Sequence, residues 1–425
     1  TVKILVVGSG AREHALARSL ALAGSEVVIA PGNPGSAAVG RNVSVNANDP
    51  DAVARLAQAE AADLVVVGPE APLVAGVADA VRAVGIPVFG PDAAAARLEG
   101  SKAFAKDVMA AAEVPTALAH VCTTIEQVAD ALDAFGAPHV VKDDGLAAGK
   151  GVVVTDDREA ALAHAAECLA KGGDAAVVIE EFLDGPEVSL FCLSDGVDVV
   201  PLAPAQDFKR IFDGDAGPNT GGMGAYSPLE WAPSDISEQV VERVARPTIA
   251  ELSRRGAPFV GLLYVGLALT SRGLRVIEFN ARFGDPETQV VLARLQTPLD
   301  QALYAAATGT LADFGPLRWS DGAAVTVVLA TPGYPENAIT GGVITGVEDA
   351  EAVDGAWVLH AGTALDGEGR LISAGGRVLS VVGAGPSLNE ARAVAYEAAS
   401  KISLEGGQVR TDIALKAARG EIVLP

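Results

Sequence analysis

Apolar residues in the first hundred positions come in short continuous runs, each closed by glycine or proline and separated by alanine-rich segments of helical spacing. The runs are VKILVV at 2–7, EVVIA at 26–30, DLVVV at 63–67 and PVF at 87–89. Short uninterrupted runs of this kind are typical of strands buried on both faces, and the segments between them predict crossover helices. The sequence therefore predicts an N-terminal, Rossmann-like, doubly wound parallel-sheet domain over residues 1–100.

The pattern changes from Pro115 onward. Strand-like segments flank a glycine-rich loop and a helical segment follows near 158–171, which predicts a small α+β lobe at 115–185. Further on, strands alternate with long helical patterns near 235–255 and 287–307, and the last hundred residues read as a compact β-rich lobe closed by one helix. The expected α/β chain thus has three domains: 1–100, a core at 101–320 that includes the 115–185 lobe, and 321–425.

The charge balance limits the class of partner. The 425 residues carry a formal net charge of -23, which argues against duplex nucleic acid or an anionic membrane, because both are bound by clustered Lys and Arg. No window reaches the roughly 18 uncharged apolar residues of a membrane span, and no signal-peptide pattern opens the chain. The three cysteines have no CxxC spacing. We expect a cytoplasmic enzyme, a monomer that acts on small molecules without a cysteine nucleophile.

Two glycine-rich loops resemble nucleotide motifs only in part. In GSGARE, Glu13 stands where a dinucleotide fingerprint has its third glycine, so the NAD signal is weak. GLAAGKG at 145–151 has three residues rather than four before its Gly-Lys pair, lacks the following Ser or Thr, and leads into a strand. The remaining interpretation is a hairpin loop whose N–H groups wrap phosphate, with Lys142 before it and Lys150 inside it; an ordinary turn is the alternative.

The segment EFNARFGDPE at 278–287 carries the strongest chemical signal. Glu278 and Asn280 lie two apart at a strand end, so both side chains point to one face, as Mg²⁺ requires when substrate phosphates complete its shell. Arg282 continues the alternation and can clamp a phosphoryl oxygen; a salt bridge with Glu278 is the alternative. Asp285 precedes Pro-Glu, which fits a helix start as well as a substrate contact.

Taken in order, the motifs resemble one family nearly end to end. VVGSGAREHALA, APGNPG, VVGPEAPL, VVKDDGLAAGKGV, VIEEFLDGPEVS, QDFKR, GPNTGGMGAYSP and EFNARFGDPETQ are similar to those of the phosphoribosylamine-glycine ligases, also called glycinamide ribonucleotide synthetases, of the ATP-grasp superfamily. The resemblance implies an ATP-grasp architecture in which ATP lies between the 115–185 lid lobe and the central lobe. It also implies ligation of glycine to 5-phospho-β-D-ribosylamine through glycyl phosphate, with Mg²⁺ or Mn²⁺.

The resemblance also implies site residues, which the bare sequence leaves open. The metal ligands would be Glu278 and Asn280, and the catalytic residues Arg282, Lys142 and Asp285. ATP would be bound by Lys102, Lys142, Gly145, Gly149, Lys150, Gly151, Glu180, Glu181, Phe182, Leu183 and Glu187. The other substrates would contact Gly8, Ser9, Gly10, Arg12, Glu70, Lys209, Arg282 and Asp285.

Two positions depart from the family pattern, which usually has Ala where Asp143 stands and His where Phe208 stands. Asp143 could damp the charge of Lys142 or face solvent, and Phe208 excludes an imidazole role. Three rival functions are a different ATP-grasp ligase, a nicotinamide-linked oxidoreductase and a nucleotide sensor. The oxidoreductase would need the missing glycine, and the sensor would not need Glu278, Asn280 and Arg282 aligned.

Overall fold

A computed structural model describes residues 1–143 and 152–425 of the chain. The N-terminal elements alternate as the apolar pattern predicts, and they form a five-stranded parallel sheet of order β3-β2-β1-β4-β5. The elements are β1 (Lys3–Gly8), α1 (Ala11–Leu22), β2 (Glu26–Pro31), β3 (Arg41–Asn42), α2 (Pro50–Ala59), β4 (Leu64–Val67), α3 (Glu70–Ala75), α4 (Val77–Ala83), β5 (Val88–Phe89), α5 (Ala93–Gly100) and α6 (Lys102–Ala111).

The next segment forms an antiparallel sheet of order β6-β9-β7-β8 covered by two helices. Its own core contains Val128, Leu132, Val141 and Ile179. This α+β lobe matches the one expected from the sequence. Its elements are β6 (Ala119–Cys122), α7 (Ile125–Phe135), β7 (His139–Asp143), β8 (Val152–Thr155), α8 (Arg158–Leu169) and β9 (Val177–Glu180).

The central segment supplies the strand that carries EFNARFGDPE. A four-stranded sheet has the order β11-β10-β16-β17, and β17 leads directly into that segment. The elements are β10 (Glu187–Asp195), β11 (Val199–Pro201), β12 (Gln206–Asp207), β13 (Arg210–Phe212), β14 (Ala216–Asn219), β15 (Gly224–Ser227), α9 (Ile236–Val240), α10 (Arg246–Arg254), β16 (Val260–Thr270), β17 (Gly273–Asn280), α11 (Glu287–Arg294) and α12 (Leu299–Ala307).

The C-terminal segment completes an antiparallel sheet of order β12-β15-β18-β22-β19, so that two of its strands come from the central segment. One long helix packs on this sheet, as the sequence predicts. The elements are β18 (Ala323–Ala330), α13 (Val347–Glu351), β19 (Ala356–His360), β20 (Thr363–Leu365), β21 (Leu371–Ser373), β22 (Arg377–Gly385), α14 (Leu388–Ser400) and α15 (Leu415–Ala418).

The two long helical patterns of the central segment are each interrupted. The pattern near 235–255 is α9 and α10 joined by a π turn at Val241–Ala245. The pattern near 287–307 is two helices, because Leu295 leaves the helical conformation and Pro298 precedes α12. Apolar spacing continues across both breaks, so periodicity alone cannot locate them.

The described chain divides into two compact units. One contains residues 1–114, 187–267 and 278–423, and the other contains 115–186, 268–277 and 424–425. In the first unit, a core of buried residues from β1, β2, β4 and β5 continues into residues of β10, α11 and α12. Both loops that carry candidate substrate residues, after β1 and after β17, therefore belong to one unit with a shared core. None of the described helices is both long and apolar enough to cross a membrane.

Candidate active site

The end of β17 presents two oxygen-bearing side chains away from the core. Phe279 is 4% exposed and packs inward, whereas the side chain of Glu278 beside it is 49% exposed and Asn280 is half-buried. Residues two apart along a strand share a face, so Glu278 and Asn280 lie on one face. The same face is buried earlier in the strand, at Leu274 and Val276, and becomes accessible only at the strand's end. A carboxylate and an amide oxygen on one face are hard donors of the kind that Mg²⁺ and Mn²⁺ prefer.

Arg282 is fixed by the residues around it. Its guanidinium lies 3.3 Å from the Glu99 carboxylate and donates to Asn280 Oδ1 at 3.4 Å and to the Phe283 carbonyl at 3.2 Å. Glu99 also accepts the Ala281 N–H at 2.7 Å. The salt bridge with Glu278 considered from the sequence is thus replaced by a pair with Glu99, and the arginine is held beside Asn280.

Lys209 joins two further predicted residues. Its ammonium lies 3.8 Å from carboxylate oxygens of both Glu187 and Glu278. Burial alone would lower the pKa of Lys209, but Asp207, Glu187 and Glu278 raise it above the ordinary lysine value. The lysine therefore stays charged at neutral pH, beside the candidate metal ligands.

Asp285 lies in a cationic environment. Arg377 is 3.6 Å from Asp285 Oδ1, and Gln289 Nε2 donates to the same oxygen at 2.8 Å. Burial opposes ionisation, yet Arg377 and Arg12 lower the pKa of Asp285 below its ordinary value. Helix α11 begins at Glu287, with Pro286 at the cap position. Asp285 is thus a largely buried, ionised carboxylate held by Arg377, Gln289 and the backbone N–H of Arg12.

The loop after β1 is filled by an acidic side chain. Glu13 is 2% exposed and its carboxylate accepts the Gly10 N–H at 3.1 Å and bonds Arg12 at 2.5 Å. Gly8 has φ +133°, and a Cβ there would lie 2.4 Å from Glu13 Oε1. Glu13 therefore takes the Gly10 N–H and fills the space beside Gly8, and it stands where the dinucleotide fingerprint has its third glycine, which disfavours a dinucleotide at this turn.

The same loop reaches the EFNARFGDPE segment through Arg12. The guanidinium of Arg12 donates to the Phe283 carbonyl at 3.3 Å, and its charge acts on Asp285. The Ser9 carbonyl accepts from the Asn33 side chain at 2.8 Å. The structure therefore brings the predicted Gly8–Arg12 loop and Asp285 together within one unit.

Glu70 and Glu99 form an acidic pair, one at the start of a helix and the other at the end of a neighbouring helix. Glu70 is the first residue of α3, and Glu99 lies in the last turn of α5. Burial and a hydrogen bond with Glu70 raise the pKa of Glu99 to about 7.

Lys102, predicted to bind ATP, is the first residue of α6 and is exposed.

Several predicted ATP residues belong to the smaller unit. Lys142 pairs with Glu180 at 2.6 Å across neighbouring strands. The Glu181 carboxylate is buried and accepts from Arg272 at 2.7 Å and Arg275 at 3.1 Å, so it anchors the end of β9. The next two residues are Phe182, which is 40% exposed, and Leu183. Gly145, Gly149, Lys150 and Gly151 lie outside the described residues.

The two departures from the family pattern have structural partners. Asp143 forms an ion pair with Lys171 at 2.5 Å, and its side chain is 8% exposed. Phe208 packs near Tyr226, and the Arg410 guanidinium lies 4.9 Å from its ring centre. Asp143 therefore has a cation of its own beside Lys142, and Phe208 contributes packing.

Sequence reasoning missed the partners that fix the predicted residues. Glu99, Asp207 and Arg377 had no assigned role, and Glu287 was considered only as a helix start. The motifs QDFKR and RFGDPE contain Asp207 and Glu287, so a charged residue inside a motif was the available signal. Glu99 lies in FGPDAAAARLEGSKAFAK at 89–106, another motif of the same series, and so had the same signal. Arg377 lies outside these motifs and far along the chain from Asp285, and it had no such signal.

The parallel N-terminal sheet, the small α+β lobe and the oxygen-rich end of β17 define the chain as an ATP-grasp protein. Three family models match it: phosphoribosylglycinamide synthetase N domain at 2–99, ATP-grasp (A) domain at 100–288 and C domain at 324–416. The chain belongs to the phosphoribosylglycinamide synthetase family, which confirms the resemblance drawn from its motifs.

Relatives match over nearly the whole chain. The phosphoribosylamine–glycine ligase of Streptomyces coelicolor is 64% identical over 98% of this chain and 100% of its own length. The one from Mycobacterium tuberculosis is 57% identical over 99% and 100%. The crystal structure of the Thermotoga maritima phosphoribosylamine–glycine ligase matches with a TM-score of 0.78 and 35% identity over 97% of this chain and 100% of that one. A biotin carboxylase subunit of pyruvate carboxylase, 18% identical with a TM-score of 0.69 over 99% and 96%, shares the fold.

The raised pKa of Glu99 predicts that the free energy of unfolding depends on pH. Glu99 has a pKa of about 7 in the folded chain and an ordinary value of 4.5, so the folded protein holds the extra proton between these values. The contribution of Glu99 to the free energy of unfolding is therefore fully present below about pH 4.5 and is lost as the pH rises towards 7. Relative to Glu99→Gln, we expect the wild-type free energy of unfolding to fall by about 1–3 kcal/mol over that interval.

Urea denaturation at several pH values measures this difference. Glu242→Gln is the matched control, since Glu242 is exposed on the π turn and its ion pair, among the described residues, is with Arg246 on the same helix face. Its difference from wild type should not change with pH. A Glu99→Gln difference that is equally flat would contradict the assignment.

Proposed function

We propose that the enzyme joins glycine to 5-phospho-β-D-ribosylamine at the expense of ATP, giving glycinamide ribonucleotide, ADP and phosphate for de novo purine synthesis. The observation that carries the proposal is the alignment of Glu278, Asn280 and Arg282 at the end of β17, in a chain that matches phosphoribosylamine–glycine ligases end to end. Of the three rivals, the oxidoreductase is disfavoured by the carboxylate of Glu13 in the first loop.

The proposed reaction has two steps. A carboxylate oxygen of glycine attacks the γ-phosphorus of ATP, ADP leaves, and glycyl phosphate forms. The amine nitrogen of the ribosylamine then attacks the glycyl carbonyl carbon, loses a proton and forms the amide as phosphate departs with one oxygen that came from glycine. Both steps bring anions together, so catalysis requires fixed positive charge and the exclusion of water.

Arg282 is proposed to supply fixed charge at the transferred phosphoryl group. Its contacts with Glu99 and Asn280 set the direction of the guanidinium before a ligand arrives. An arginine held in place loses little side-chain entropy on binding an oxyanion. Lys209, charged and 3.8 Å from Glu278, is proposed to bind a neighbouring anionic oxygen.

Glu278 and Asn280 are proposed to hold Mg²⁺ or Mn²⁺. The donor set fits, because both side chains offer hard oxygens on one strand face and neither is enclosed by the core. Such an ion, when bound, neutralises phosphate oxygens of ATP and leaves the remaining charge to be balanced by protein cations.

The ribosylamine is proposed to bind at the loop after β1 and at Asp285. Gly8, Ser9, Gly10 and Arg12 would contact its phosphate, and the ionised Asp285 would accept a hydrogen bond from the sugar or amine. Arg12 connects the two regions, because its guanidinium bonds Glu13 beside the loop and donates to the Phe283 carbonyl near Asp285. Glu70 is proposed as a second contact.

ATP is proposed to be bound by the residues named from the sequence, with Lys102 and Lys142 on its phosphates and Glu187 on its ribose. The end of β9 from Glu180 to Leu183 would read the adenine edge. Lys142 and Glu180 are adjacent and paired in the smaller unit, which supports a common role. We also propose that the enzyme is a cytoplasmic monomer, consistent with its formal net charge of -23.

Release of phosphate from ATP tests the proposed function directly. We expect turnover only when glycine and phosphoribosylamine are both present, because the acyl phosphate needs glycine to form and the amine to be discharged. A coupled assay with each substrate omitted in turn measures this. Turnover that ignores glycine, or that other amino acids support equally well, would exclude the assignment.

Glu278→Gln tests the proposed metal site. The substitution keeps size and hydrogen bonding but removes the charge that attracts a divalent cation, so we expect activity to fall on the order of a hundredfold with the fold retained. Steady-state assays over a range of Mg²⁺ concentrations, with circular dichroism as a check on folding, measure the effect. Glu242→Gln is the control, and near-normal turnover of Glu278→Gln would remove Glu278 from the metal shell.

A further inference from the structure

A buried carboxyl group beside the candidate active site has an oxygen without a partner. Glu287, the first residue of α11, is 3% exposed. Its Oε1 accepts from the Tyr264 hydroxyl at 3.3 Å, and that hydroxyl lies 2.8 Å from the Ser189 hydroxyl. Its Oε2 has no hydrogen-bond partner among the described residues. An ionised carboxylate with an unpaired buried oxygen is costly, so the environment favours a proton on Glu287.

A proton on Glu287 would let its unpaired oxygen act as a hydrogen-bond donor to a neighbouring carboxylate. Burial and the neighbouring carboxyl of Asp207 raise the pKa of Glu287 to about 8. Two carboxyl groups in contact cannot both ionise at neutral pH, and one proton between them makes one group a donor and the other an acceptor. Asp207 is half-buried whereas Glu287 is not accessible, so Asp207 is the member that a ligand can reach.

The surroundings of Asp207 contain more negative than positive charge. Among the described residues, Lys209 is the cation with the largest effect on Asp207, and the same lysine lies 3.8 Å from Glu187 and from Glu278. One ammonium thus faces three carboxylates. The proposed metal accounts for Glu278 and the proposed ribose contact for Glu187, which leaves the charge of Asp207 without an assigned ligand.

Glycine brings a cation of the required kind. Its ammonium is separated from its carboxylate by a single carbon, so it must lie within a few ångströms of the oxygen that is phosphorylated. That oxygen receives the phosphoryl group proposed to lie at Arg282, close to the metal site proposed at Glu278 and Asn280. Glu278 in turn acts electrostatically on Asp207. The ammonium and Asp207 therefore belong to the same small region of the site.

We propose that the carboxylate of Asp207 binds the ammonium group of glycine, and that protonated Glu287 is a positioning residue that donates a hydrogen bond to Asp207. This inference rests on the proposed ligation of glycine. Asp207 would select an α-amino acid over an acid that lacks a cation, and Glu287 would hold the selecting carboxylate in place without touching substrate.

Gly284 shows how tightly Glu287 is held. A Cβ on Gly284 would lie 2.0 Å from Glu287 Oε2 and 2.6 Å from the Tyr264 ring. The glycine of the RFGDPE motif therefore leaves the space that the carboxyl group occupies, and Tyr264 closes the other side. A side chain confined in this way can direct a hydrogen bond to one neighbour.

Steady-state kinetics of Asp207→Asn test the ligand. Loss of a charge-assisted contact should raise KM for glycine about tenfold or more while KM for ATP stays within about twofold. Wild-type enzyme should form ADP far faster with glycine than with glycolate, which has a hydroxyl in place of the ammonium, and Asp207→Asn should narrow that preference. Asp235→Asn, at an exposed site before α9, is the matched control.

Two substitutions of Glu287 test the positioning role. Glu287→Gln keeps a hydrogen-bond donor for Asp207, so the glycine KM of this variant should stay within about threefold of wild type. Glu287→Leu removes the donor and should raise the glycine KM as much as Asp207→Asn does. Circular dichroism checks the fold of each variant.

The kinetic results separate the role of Asp207 from the ligation reaction itself. Wild-type turnover that requires glycine, combined with an Asp207→Asn variant whose glycine KM matches that of Asp235→Asn, would overturn the inference alone. An Asp207→Asn variant that loses glycine and glycolate turnover equally would also overturn it. Wild-type turnover independent of glycine would overturn the proposed function itself.

Discussion

The turn between β17 and α11 places Arg282, Asp285 and Glu287 within six residues, largely removed from solvent. Buried charge is tolerated only when it is paired, protonated or hydrogen-bonded, so this turn constrains the segments around it. Arg282 is paired with Glu99 of α5, and Asp285 faces Arg12 of α1 and Arg377 of β22. Glu287 has no such cation; burial and the carboxyl of Asp207 on β12 raise its pKa.

This constraint connects the fold to the chemistry. The parallel sheet brings the β1 loop to the turn, the C-terminal sheet contributes Arg377, and β12 contributes Asp207, all within the larger unit. These pairings hold nearby polar side chains in place while leaving them accessible for further contacts. They are the exposed Glu278 and the half-buried Asn280 and Asp207. These are the groups that a metal ion or a charged substrate can complete.

The sequence predicts much of this arrangement where the signal is local. Alternation at the end of β17 predicts the shared face of Glu278 and Asn280, and apolar runs predict the N-terminal sheet. Pairing across long separations is not encoded in a local period. The sequence offered a salt bridge between Arg282 and Glu278 only as an alternative to phosphoryl binding, and the carboxylate beside Arg282 in the structure is that of Glu99. Helix interruptions at Val241–Ala245 and before Pro298 were missed for a related reason, since the apolar spacing runs through them.

The proposed chemistry requires that glycine's carboxylate is phosphorylated before the amide forms. Glycine labelled with ¹⁸O in its carboxylate, turned over with ATP and phosphoribosylamine, tests it by mass spectrometry of the released phosphate. The proposed sequence of steps requires one labelled oxygen in each phosphate and one in each product amide. Unlabelled phosphate from fully labelled glycine would exclude glycyl phosphate as an intermediate.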